Sequence, residues 1–243
     1  MEKSPSQKFD AYPLLYPAFN FVLGRMYDRE VVGGDTLPDE SLILVANHLR
    51  MVDSPLVAAA YTESTGRPVR FGAKREYFDG RGIAKPGDPP KYGRSIKWFM
   101  EHTHMVSVDR DAKSPAAFKE FEAQMSDRLQ RGDSIALHPE GTRSLDGRLH
   151  KFRTGAARLA LSNEVTLQPV GLVYTETTGE KPFVSIRFGE PMYPDEFSHY
   201  RRNAALISDN LERRVAELTH QKRSNSFGVI PRLILPESDE EAL

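Results

Sequence analysis

Three polar clusters in this 243-residue chain carry residue types that can do chemistry, and each follows a short apolar run. In the first, Asn47-His48 ends the run Leu42–Ala46, and Asp53 comes five positions after the histidine. A carboxylate that accepts from one imidazole nitrogen leaves the other as an acceptor, which is the tautomer a general base needs. On one continuous helix a spacing of five would set the two side chains roughly 140° apart. They meet only if the chain turns between the apolar run and Ser54. The second cluster, Val106-Ser107-Val108-Asp109-Arg110, delivers a guanidinium that can grip phosphate through two parallel bonds. The third, His138-Pro139-Glu140-Gly141-Thr142-Arg143-Ser144, places a glycine that admits backbone amides to a ligand beside donors at Thr142 and Arg143. Such a turn suits an anion.

Each feature also has a plainer explanation. His48 can be a histidine that caps a turn, Glu140 can pair with Arg143, and Arg110 with Asp109. A metal site could draw on His48, Asp53, His138 and Glu140, but no close ligand pair such as His-x3-His is present, and no metal is expected.

The elements that must position these residues show in the apolar pattern. The continuous run 42–46 has the character of a strand buried on both faces. Ser54 stands as an N-cap with Pro55 at the first position of a helix through 56–60. Further strands are predicted at 68–73, 105–108, 134–137, 166–174 and 183–188. Between them fall a short helix over 96–104 and one with Phe118, Phe121, Met125 and Leu129 on a face, closed by Gly132. Further helices start at Thr154 and near Asn203, the last with Ala204, Ile207, Leu211, Val215 and Leu218 in register. Strands alternating with helices predict an α/β domain with a mostly parallel central sheet flanked by helices. In such a sheet His48, Arg110 and Glu140 share the edge beyond the strand carboxyl ends, where ligands bind.

Composition sets limits. The length fits one large domain, and 39% hydrophobic residues suit a packed core. With 33 basic against 34 acidic residues the net charge is -1, so nucleic acid is not an expected partner and any anion site must be local. No cysteine is present, which excludes disulfides, thiolate catalysis and cysteine-based zinc sites. The aromatic segment 12–24 is shorter than the ~20 apolar residues of a spanning helix and is broken by Pro13, Pro17 and Asn20. It lacks the apolar core and cleavage site of a signal peptide. Either it packs on the domain or it lies in a membrane interface. The Gly- and Pro-rich stretch 79–94 reads as a long basic loop, either a lid or a plain insertion.

Four blocks then stand in a recognisable order: Asn47-His48-x4-Asp53, Val106-Ser107-Val108-Asp109-Arg110, Pro139-Glu140-Gly141-Thr142-Arg143-Ser144 and Gln168-Pro169-Val170. Together, over 43–173, they resemble the four motifs of the glycerolipid acyltransferases, specifically the PlsC-type 1-acylglycerol-3-phosphate acyltransferases. Lys74-x-Glu76-Tyr77 is similar to a lysine-containing stretch of that family. The resemblance implies transfer of a fatty acyl group from acyl-CoA or acyl carrier protein to a glycerolipid hydroxyl, that of 1-acylglycerol 3-phosphate (lysophosphatidic acid) being the expected acceptor, by a protein peripheral at the cytoplasmic face of a membrane or in the cytoplasm. It implies no cofactor. His48 would be the general base and Asp53 its orienting partner, with no enzyme nucleophile. Asn47, Lys74, Arg110, Thr142 and Arg143 would bind substrate, the two arginines taking the acceptor phosphate, and Glu140 and Gly141 would shape that pocket. His138 and Ser107 depart from the family pattern, standing where bulkier apolar residues are expected. A segment 1–30 in membrane contact, an acyltransferase domain over 31–235 and a disordered acidic tail over 236–243 complete the expected organisation. Other acceptors (glycerol 3-phosphate, another lysophospholipid, a glycolipid) and a silent lipid- or phosphate-binding protein are the alternatives.

Overall fold

The computed structural model describes residues 9–80, 92–108, 115–175 and 180–228. Its centre is β2 (Leu42–Ala46), all five residues of which are buried. Side chains alternate across a strand, so Leu42, Leu44 and Ala46 enter one apolar core while Ile43 and Val45 enter another. This two-sided burial is why the strand reads as an unbroken apolar run.

Around it lie β1 (Asp28–Val32), β3 (Val69–Lys74), β4 (Val106–Val108), β5 (Ser134–Leu137), β6 (Thr166–Thr175) and β7 (Phe183–Phe188), in the order β1-β7-β6-β2-β5-β3-β4. All neighbours are parallel except β6 and β7, which form an antiparallel pair. The predicted mostly parallel single-domain α/β sheet is therefore present. Strand β1 was not predicted; its half-buried and exposed residues alternate along an edge, so it lacks the continuous apolar run. It also begins before residue 31, so the expected domain boundary at that point cuts through the sheet.

On one face lie α1 (Tyr12–Met26) and α2 (Asp53–Thr65), with Leu23, Leu56, Val57 and Tyr61 in that core. On the other lie α4 (Pro115–Gln130), α5 (Gly155–Asn163) and α6 (Ala204–Thr219), contributing Met125, Leu129, Leu159, Ile207, Leu211 and Val215. Between β3 and β4 comes α3 (Gly93–His102). The Asn203 side chain accepts from the amides of Ala205 and Leu206 and caps α6, which begins close to its predicted start near Asn203.

The N-terminal aromatic segment is a helix that both packs and stays exposed. Tyr12 bonds Thr62, the Tyr16 hydroxyl donates to the Ala59 carbonyl, and Phe19 meets Phe99. Leu14, Phe21 and Val22 are more than half exposed on the opposite side. Among the described residues no helix is long and apolar enough to cross a membrane. Most of the 79–94 loop and all of the 236–243 tail lie outside the described residues.

Candidate active site

Two parallel neighbours, β2 and β5, end at the same edge, and the chain leaving each builds half of the site. After β2 the backbone turns through Leu49 and Arg50 and enters α2 at Asp53. Oδ2 of Asp53 accepts from the amides of Leu49 at 2.5 Å and Arg50 at 2.7 Å, and lies 2.9 Å from Nδ1 of His48. The carboxylate thus folds back over its own turn and meets the histidine across it, as the spacing of five requires. Ser54 is not the N-cap. The helix starts two residues earlier than expected, at Asp53, its preceding residue Val52 makes no side-chain cap, and Ser54 Oγ instead bonds Nε2 of His138 at 2.9 Å.

Asp53 is fully buried, and its other oxygen accepts from the Tyr174 hydroxyl at 2.5 Å. Burial works against its charge, but the bonds from His48, Tyr174 and the Arg50 amide, with His138 nearby, hold the carboxyl below its usual range. Its position in the first turn of α2 adds the favourable end of the helix dipole. An ionised Asp53 fixes the proton of His48 on Nδ1. Nε2 has no partner among the described residues and is left as an acceptor. Tyr174 reaches Asp53 because β6 runs parallel to β2 and ends at the same edge. Burial, then the Asp53 charge, push its phenol well above the ordinary range, so it remains a donor. The Arg50 guanidinium lies 4.2 Å from its ring centroid.

His138, one residue past β5, stacks on His48 with centroids 4.2 Å apart and planes 13° from parallel. Its Nδ1 donates to the Asn47 carbonyl at 2.9 Å, leaving Nε2 to accept from Ser54. Burial, then the neighbouring His48, push it down to about 4. It is a neutral platform beneath His48. The expectation of a bulky apolar residue here is met in shape, by a ring, though not in polarity.

The Glu140 carboxylate, completely buried, accepts from the His48 amide at 2.7 Å and the His150 amide at 2.9 Å. Both oxygens serve the main chain, so Glu140 shapes the site and offers no contact to a ligand. Asn47 is also withdrawn from substrate. Its amide nitrogen donates to the Leu172 carbonyl and to Gln221, and its Oδ1 accepts from the Leu172 amide, tying β2 to β6. Thr142 is buried against Gly228, and Arg143 is exposed. The plainer alternative, a Glu140–Arg143 pair, does not form, since Glu140 is engaged by amides.

A cavity of about 630 Å3 opens beside these residues, within the range of small-molecule sites. His48, Ser54, His138 and Gly141 line one part; Phe71, Val108, Phe118, Phe121, Leu137 and Leu159 form an apolar wall. Lys74, Thr142 and Arg143 do not line it. Arg110 lies outside the described residues. The cations that do line the cavity are Lys151 and Arg153, just before the helix that begins near Thr154. Tyr174 likewise stands only at the end of a predicted strand. No local signal marks either, because their partners are distant in the chain. Among the described residues no group of three or more His, Asp and Glu could hold a metal ion.

The arrangement is that of a carboxylate-oriented base at the mouth of an apolar cavity, suited to taking a proton from an attacking hydroxyl. Residues 28–173 match the family model described as Acyltransferase. A probable 1-acyl-sn-glycerol-3-phosphate acyltransferase of Mycoplasma pneumoniae is 26% identical over 59% of this chain and 48% of its own length. A chloroplastic 1-acyl-sn-glycerol-3-phosphate acyltransferase of Brassica napus is 26% identical over 79% and 51%. The chain thus spans about half the length of these curated relatives. In fold it is similar to the crystal structure of the LPA acyltransferase PlsC from Thermotoga maritima, with a TM-score of 0.59, 22% identity, and coverage of 90% of this chain and 84% of that one.

Proposed function

The chain belongs to the acyltransferase family, and from that premise we propose that it moves a fatty acyl group from a thioester donor, acyl-CoA or acyl carrier protein, to the free hydroxyl of 1-acylglycerol 3-phosphate, forming phosphatidic acid. The observation that carries this reading is the 2.9 Å contact between His48 Nδ1 and a buried, ionised Asp53, which leaves Nε2 as an acceptor on a histidine that lines the cavity. The names of the relatives support the choice of acceptor.

In this mechanism Nε2 of His48 takes the proton from the acceptor hydroxyl as its oxygen attacks the thioester carbonyl. The carbon–oxygen bond forms and the carbon–sulfur bond breaks. The imidazolium, stabilised by Asp53, returns the proton to the departing thiolate. The donor brings its own activated acyl group, so the scheme calls for no cofactor. The apolar wall takes a fatty chain, and Gly141 and Glu140 shape the turn beside it. We place the protein peripherally on the cytoplasmic face of a membrane, resting on the exposed α1 residues Leu14, Phe21 and Val22, with Trp98 alongside.

The test is release of free CoA from acyl-CoA over a panel of acceptors, with wild type and His48→Ala. A base of this kind contributes about 10²–10⁴-fold, so His48→Ala should lose nearly all acceptor-stimulated release. Equal release by both proteins overturns the mechanism, and stimulation by glycerol 3-phosphate or a glycolipid alone overturns the acceptor assignment. Membrane placement is tested by liposome co-sedimentation; an unchanged bound fraction in Leu14→Asp/Phe21→Asp removes α1 from it.

A further inference from the structure

After α6 the chain returns across the site. Leu149 donates its amide to the Lys222 carbonyl, Ser224 to Leu149, and Lys151 to Ser226, so residues 222–226 are laced along 149–151. This brings Phe227 over the two cavity cations. The Arg153 guanidinium lies 5.3 Å, and the Lys151 ammonium 5.5 Å, from its ring centroid. On its other side Arg153 crosses the turn at Gly141, a position with φ +75° where an added Cβ would stand 2.8 Å from Arg153 Nε. Only glycine gives the guanidinium that passage. The Arg153 amide donates to the Pro139 carbonyl at 2.9 Å, locking the two segments together.

The acids that line the same cavity are already neutralised. Asp209 and Glu212 pair with Arg223, and Glu122 with Arg158. Among the described residues neither Lys151 nor Arg153 has a carboxylate partner. Two unneutralised cations therefore face a cavity that His48 also lines. We propose that Arg153, assisted by Lys151 and held beneath Phe227, grips the phosphate ester of a substrate while His48 takes the proton from the hydroxyl that attacks the thioester. The assignment rests on the acyl-transfer reading above and deepens it. It gives the anion contact to a position outside the Glu140–Ser144 turn. The chemistry is shared by two sources, the phosphate of the acceptor and the phosphates of a CoA donor.

The experiment compares wild type, Arg153→Ala, Arg153→Lys and Lys151→Ala in steady-state transfer, varying each substrate against the other at saturation. Loss of a charge-assisted contact should raise one KM about 10- to 100-fold in Arg153→Ala, with kcat much less affected, and Arg153→Lys should recover part of it. A rise in the acceptor KM identifies the acceptor phosphate; a rise in the donor KM identifies the donor. In parallel, equilibrium dialysis of lysophosphatidic acid, monoacylglycerol and CoA against His48→Ala and His48→Ala/Arg153→Ala measures binding without turnover. Unchanged KM values for both substrates, together with unchanged dialysis constants, overturn the proposal. If wild type transfers to no acceptor, the acyl-transfer reading fails, and dialysis still decides whether Arg153 holds a phosphate ester.

Discussion

Replacing His138 by phenylalanine separates the shape of the platform under His48 from its titration. At neutral pH the variant keeps a ring against the base but leaves the Asn47 carbonyl and the Ser54 hydroxyl without their partner, a cost of about 1–2 kcal/mol. Acidification changes the comparison. The unfolded chain protonates this histidine near 6.5, whereas the folded chain does so only at about 4. Between those values the unfolded state binds one more proton, so wild-type stability falls as the pH falls, by up to about 1.4 kcal/mol per unit and about 3 kcal/mol in all. The ring borders the cavity, and water there reduces its desolvation, which makes this an upper bound. Phenylalanine contributes nothing to that slope. Glu140 acts in the opposite sense. Burial pushes its carboxyl up to about 7 against the pull of two amide bonds, so the folded state holds the extra proton and its contribution declines as the pH rises from 4.5 to about 7. That slope is common to both proteins and cancels in their difference. Urea denaturation at several pH values should therefore show the variant gaining about 2–3 kcal/mol on wild type between about pH 7 and pH 4.5. A difference that stays constant over this range refutes the buried, neutral histidine.

Three further outcomes follow from the same geometry. Tyr174→Phe removes the donor to Oδ1 of Asp53, leaving a buried carboxylate oxygen unsatisfied; a stability loss of about 1.5–3 kcal/mol is expected by denaturation. The same variant should show a reduced kcat with both KM values retained, and unchanged stability and kcat together would remove Tyr174 from the relay. Glu140→Gln sets an amide NH2 against one of the two backbone N–H groups that now donate to the carboxylate, and should lower stability by about 1–3 kcal/mol at neutral pH, read from calorimetry. Gly141→Ala combines a left-handed backbone with a collision at Arg153, so it should lose about 1–2 kcal/mol from strain and raise the same KM that Arg153→Ala raises; a KM shift in only one of the two variants would uncouple the turn from the guanidinium.

Much of the fold was legible because burial is written into residue type. Strand β2 is apolar at every position since both of its faces are covered, and α6 shows its buried face at helical spacing. Edge strand β1 was not legible, having one exposed face and no continuous run. Nor was the helical state of Tyr12–Met26, whose two prolines argue for breaks although Pro13 sits in the first turn, where proline is tolerated, and Pro17 alone lies in the helix interior.

In the site, the five-residue spacing of His48 and Asp53 contained its own geometry: residues that cannot share a helical face must meet across a turn, and local backbone bonds complete the turn. The roles of Asn47 and Glu140 could not be read that way. A polar side chain beside a catalytic residue has the same one-letter code whether it faces a ligand or ties down a strand, and only the packing of β6 and of the 150 region against them decided the matter. The chain by itself therefore determined the pairing of His48 with Asp53, because their relation is local. Tertiary structure decided what surrounds them: Tyr174 from a parallel strand, His138 as a stacked platform, and Arg153 with Phe227 at the cavity. Those contacts join residues up to 121 positions apart in the chain, where no sequence periodicity reaches.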